Sequence, residues 1–128
     1  MRNNAFLVVA LFLITFTVYG INREDLKTEL GDLYMQVKDS ESQRGYFGQK
    51  TKSPSAQLAK FKRDIKKYIY YAEGLGVDRR TISALYDASD ELGKLSRKIG
   101  VSSVEAINTR LRNISSEISS AAYYIVDH

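Results

Sequence analysis

Apolar positions fall along this chain in two patterns. Residues 5–19, AFLVVALFLITFTVY, form one uncharged, almost continuously apolar run. Past residue 21, apolar side chains return only at every third or fourth position, the spacing of amphipathic helices. Leu26, Leu30, Leu33 and Val37 make one stripe and predict a first helix over residues 23–38, with Glu24 and Asp25 placed to suit its N-terminal dipole. Leu58, Phe61, Ile65, Ile69 and Ala72 predict a second, with Ser53 as cap, Pro54 at the first helical position, and Gly74 and Gly76 at its end. Ile82, Leu85, Ala88, Leu92, Leu95 and Ile99 predict a third, opened by Asp78 and stopped by Gly100. Val104, Ile107, Leu111, Ile114, Ile118, Ala121 and Ile125 alternate steps of three and four, a coiled-coil-like seam, behind a capping box of Ser102 and Glu105.

The third and fourth helices are joined by about three residues, which forces an antiparallel hairpin. No single helix can bury its stripe alone. The expected fold is therefore all-α: a small antiparallel bundle of about four helices. Residues 39–55 carry Gly, Ser and the one Pro without periodicity and read as a long loop, a length that in compact domains is often functional.

The apolar run changes the picture of where this bundle sits. Arg2 and the amino terminus precede it, and Val18-Tyr19-Gly20 closes it on a small residue, the layout of a secretory signal peptide. The competing expectation is a retained anchor: the uncharged stretch through Ile21 reaches roughly 25 Å as a helix, the short edge of a bilayer's need. A buried core helix is the third option. For an anchor, Arg2 argues for an internal N-terminus, while Arg23, Lys27 and Lys38 on the other flank leave a cytoplasmic body open. The expected organisation is residues 1–20 as signal or membrane anchor and residues 21–128 as the helical domain, exported or held at the inner or plasma membrane.

Composition narrows the chemistry. The chain has 128 residues, one domain's worth, with no Cys and its single His at position 128. Disulfides, thiol nucleophiles, Cys-based metal sites and multi-His sites within one chain are excluded. There is no Gly-rich phosphate loop and no Ser/His/Asp set. Carboxylate-only chemistry needs two acids across a cleft, whereas Asp87 with Asp90 or Glu91 reads as one helix surface. The expectation is a protein without cofactor that binds rather than catalyses.

Charge is unevenly placed. Residues 21–43 hold three basic and six acidic side chains, residues 44–67 eight basic and one acidic, and residues 68–128 seven basic and eight acidic. Lys60, Arg63 and Lys67 share one side of the second helix, flanked by Lys62 and Lys66; Arg44, Lys50 and Lys52 precede them. Such a block attracts an anionic envelope surface or an acidic protein partner, unless it is simply a solvated face balancing the acidic first helix. Tyr68, Tyr70 and Tyr71 adjoin it, with Tyr46 and Phe47 in the loop; successive helical positions diverge, so Tyr70 or Tyr71 must be exposed. Arg44, Tyr46, Phe47, Lys50, Lys52, Lys60, Arg63, Lys67, Tyr70 and Tyr71 are the candidate contact residues, in an envelope protein of inhibitor, immunity or exclusion type. The Ser- and Asn-rich face of the fourth helix, residues 108–120, is either close packing within the bundle or a surface for a second copy.

One stretch resembles the helix-turn-helix of bacterial DNA-binding domains. Ala72, Gly76, Val77, Ile82 and Leu85 match its small, turn and apolar positions, which implies that Arg79, Arg80 and Ser83 face a major groove. This resemblance makes a membrane-anchored DNA binder with a cytoplasmic body the second expectation. Asp87, Asp90 and Glu91, further along the same helix, would repel phosphate, so nucleic acid is the less favoured partner.

Overall fold

The computed structural model describes residues 21–42 and 54–125. The apolar run at residues 5–19, the Ser53 cap and the loop residues 43–52 lie outside them. The described residues form four helices: α1 (Arg23–Ser42), α2 (Pro54–Leu75), α3 (Arg79–Lys98) and α4 (Val104–Tyr123). None of them is long and apolar enough to cross a membrane.

Local chemistry explains most boundaries. α1 opens on a reciprocal pair: Asn22 Oδ1 accepts from the Asp25 amide at 2.8 Å, and Asp25 Oδ2 from the Asn22 amide at 3.3 Å. It runs four residues past the expected end, into the supposed loop. Ser40 is buried and donates to the Gln36 carbonyl, and Glu41 takes Arg112 Nε from α4 at 3.0 Å, so tertiary contact carries the helix on. α2 runs through Gly74 and stops at Gly76, whose φ of 65° starts a Schellman turn. There the Val77 amide donates to the Ala72 carbonyl and the Gly76 amide to Glu73, while Val77 is buried. Asp78 caps α3 as expected, accepting from the Arg80 amide at 2.8 Å. The cap of α4 is Ser103, accepting from Ala106 at 3.1 Å, one residue later than the Ser102–Glu105 box proposed from sequence. The helix accordingly starts at Val104, which is 52% exposed rather than part of the buried seam.

Two glycines separate backbone cost from space. Nothing lies within 4 Å of an added Cβ at Gly76 or at Gly31 in α1. Gly76→Ala is expected to lower stability by about 1 kcal/mol through its left-handed φ alone. Gly31→Ala is expected to raise it by about 0.5–1 kcal/mol, since alanine fits mid-helix without strain. Denaturant midpoints of the two variants check the pair; shifts of the same sign would contradict the Gly76 geometry.

The helices pack in a ring, α1 beside α2, α2 beside α3, α3 beside α4 and α4 beside α1. Cross-links join the start of one element to the end of the next: Arg23 reaches the Leu75 carbonyl at 3.0 Å, and Thr81 donates to the Ala121 carbonyl at 2.8 Å. These pairings make α1/α2 and α3/α4 antiparallel. The core is the set of stripes read above: Leu26, Leu30, Leu33 and Val37 from α1, Leu58, Phe61, Ile65, Ile69 and Ala72 from α2, Leu85, Ala88, Leu92 and Leu95 from α3, and Leu111, Ile114, Ile118 and Ala121 from α4, with Ile125. Ile82, Ile99 and Ile107 are packed at its margin. α4 packs extensively on both α1 and α3, whereas the α1/α2 seam is the thinnest of the four.

Candidate functional site

The helical wheel of α2 divides its cations into three groups. With Phe61, Ile65 and Ile69 turned to the core, Lys60 and Asp64 fall toward α1, Arg63 and Lys67 on the outer crest, and Lys62, Lys66 and Glu73 toward α3. Lys60 is committed: its ammonium pairs with Asp64 Oδ2 at 2.7 Å and donates to Gln36 Oε1 of α1 at 3.0 Å. Lys67 sits over the Tyr68 ring, 5.1 Å from its centroid, and Arg63 is exposed. The acidic first helix thus meets only one edge of the basic helix. At that edge the Tyr68 hydroxyl donates to Glu29 Oε2 at 3.1 Å. Burial, then the Glu29 carboxylate, pushes the Tyr68 phenol far above its ordinary range.

The cations toward α3 have a different setting. Lys62, Lys66, Ile69, Tyr70 and Glu73 of α2 join Tyr86 and Ser89 of α3 around a groove of about 390 Å³. Ile69 is buried and forms its apolar floor, while Tyr70 and Tyr86 are 54% and 50% exposed. Tyr71, one position on, is half-buried against the core, its ring 6.5 Å from that of Tyr68 and 6.3 Å from that of Tyr70. So of the candidate contact residues, Arg63, Lys67 and Tyr70 present themselves outward, Lys60 and Tyr71 are engaged within the bundle, and Arg44, Tyr46, Phe47, Lys50 and Lys52 lie outside the described residues. Tyr86 was not singled out from sequence. Its signal is the run Ile82, Tyr86 and Ser89, spaced four and three along the side of α3 that meets α2.

A second groove, of about 310 Å³, opens on the other side of α3. Asp87, Asp90, Glu91 and Lys94 line it from α3, and Asn113, Ser116 and Glu117 from α4. The acids read as one helix surface therefore do face a cleft, with Glu117 on its other helix. Glu91 is held by Arg110 Nη1 at 3.1 Å and by Lys94 at 3.7 Å. Among the described residues no cluster of three or more acidic, His or Cys side chains is placed to hold a metal ion. Partial burial, then Asp87 and Glu91, raise the Glu117 carboxyl above its ordinary 4.5. The folded chain therefore binds that proton more tightly than the unfolded chain. Stability is expected to fall as pH rises from about 4.5 through the raised value, and Glu117→Gln should flatten this slope and stabilise at neutral pH. Chemical denaturation from pH 4 to 8, as an approximate range spanning that titration, checks it; an unchanged slope in the variant would contradict the assignment.

No protein-family model, curated protein or solved structure matches this chain.

The helix-turn-helix-like segment is a hairpin of two long helices meeting along the basic groove. Ala72, Val77 and Leu85 are buried there. Arg80 is bound to both carboxylate oxygens of Asp78, at 3.1 and 2.9 Å, and its guanidinium lies 4.3 Å above the Tyr124 ring. That guanidinium holds the Asp78 carboxyl down to about 2. Arg79 and Ser83 are exposed, as are Asp87 and Asp90 further along. On α4, only Ser115 of the polar face is buried, its hydroxyl donating to the Arg112 carbonyl at 2.9 Å; Thr109, Asn113, Ser116 and Ser119 face outward.

Proposed function

We propose that this chain is a small helical binding protein of the cell envelope, directed or held there by residues 5–19, whose α2/α3 groove takes an acidic segment of a partner protein. The carrying observation is that Tyr70 and Tyr86, both half-exposed and from different helices, line one groove with the buried Ile69, where Lys62 and Lys66 outnumber the one acid, Glu73. Half-exposed tyrosines beside an apolar floor form the anchor pocket of a protein interface, and lysines at the rim select negative charge. Such a concave groove with lysines along it favours an acidic protein surface over a flat lipid surface. An inhibitor or immunity-type role suits this layout. Nucleic acid suits it less, because Asp87 and Asp90 stand on the helix that would enter the duplex.

The test uses the full-length protein as recovered from cells. An acidic peptide with a leucine at every fourth position should bind with a micromolar Kd that weakens with salt. Lys62→Glu combined with Lys66→Glu should weaken it at least tenfold, about 1.4 kcal/mol. Equal binding by that variant, or binding to phosphatidylglycerol vesicles and not to the peptide, would overturn the proposal.

A further inference from the structure

We infer that the acidic partner of the α2/α3 groove is a second copy of this chain, which presents its own α3/α4 groove. This inference rests on the proposed role of the basic groove and names its occupant. The two grooves are opposite in charge: Lys62 and Lys66 outnumber Glu73 in one, and Asp87, Asp90, Glu91 and Glu117 outnumber Lys94 in the other. Lys62 and Lys66 make no ion pair with any described residue, and neither do Asp87, Asp90 and Glu117 on the other side. Each groove therefore holds charges that the bundle leaves unpaired, and each supplies what the other lacks. Both flank α3, one on the side facing α2 and the other on the side facing α4. A twofold axis parallel to α3 and between two copies would set the basic groove of each on the acidic groove of the other, so that both contacts form together and the assembly closes. The crowding of Asp87, Glu91 and Glu117 that favours a proton on Glu117 is relieved when lysines of a second copy arrive.

Full-length copies with two different C-terminal tags, expressed together, should co-purify, and less so as salt rises. The variant K62E/K66E should fail to retain its own kind by at least tenfold, and so should D87K/D90K. Co-expression of the two variants with each other should restore retention, because one contact is then complementary with charges exchanged and the other keeps its native charges. Persistent pairing within either variant, or no restoration in the mixed pair, would overturn the inference. Should wild-type copies fail to co-purify while the acidic peptide still binds in a Lys62- and Lys66-dependent way, the groove keeps its proposed role and the second copy is ruled out. Loss of both results removes both.

Discussion

Ile118→Ala is expected to lower the unfolding free energy by about 2–5 kcal/mol. Ile118 is fully buried on α4, between Ile114 and Ala121, and α4 packs extensively on both α1 and α3. Truncation there loses apolar burial and leaves a cavity walled by two other helices, so little can move in to fill it. A domain of this size has only about 5–15 kcal/mol in hand, so the change is a large share of the whole. Val104→Ala, on the same helix but half-exposed, should shift stability by no more than about 0.5 kcal/mol. Urea unfolding followed by circular dichroism should show the Ile118 midpoint falling at unchanged slope. A loss below about 1 kcal/mol would contradict the central place of α4.

Tyr86→Ala should weaken capture of the acidic partner segment about 30-fold, the roughly 2 kcal/mol of an interface anchor, while leaving stability almost unchanged. Tyr86 is half-exposed and stands on α3, so its ring is available without disturbing the bundle. Tyr71→Ala should show the reverse. That ring is packed at the core margin, so its loss should cost stability first and weaken binding only in proportion to unfolding. Paired measurement of peptide affinity and denaturation midpoint separates the two residues. A Tyr86 variant that binds like wild type would remove the aromatic wall from the proposed site.

The stripes of all four helices were legible because each repeats a step of three or four over several turns, and burial follows them almost residue by residue. Ends were less legible where tertiary contacts decide them. Ser40 and Glu41 look like loop residues until α4 supplies Arg112, and the cap of α4 moved by one because Ser102 and Ser103 offer the same hydroxyl. The basic block was visible as composition, but its division was not. Asp64 draws Lys60 to one side, and only the packing of α3 beside α2 sets Tyr86 next to Lys62 and Lys66. The acidic groove was hidden for the same reason: Glu117 lies 26 positions past Glu91 in sequence, and the α3/α4 seam brings them to one cleft.

The slender α1/α2 seam carries a mechanical consequence. It is crossed by polar links, Lys60 to Gln36, Tyr68 to Glu29 and Arg23 to the Leu75 carbonyl, while α1 packs far more extensively on α4, where Arg112 also reaches Glu41. If the chain is held through residues 5–19, as proposed above, a pull there would load α1 first. The thin α1/α2 seam would give first, the broad α1/α4 contact would resist, and the basic groove lies across the ring from that contact. Tension on the leash would thus be absorbed away from the surface that grips the partner.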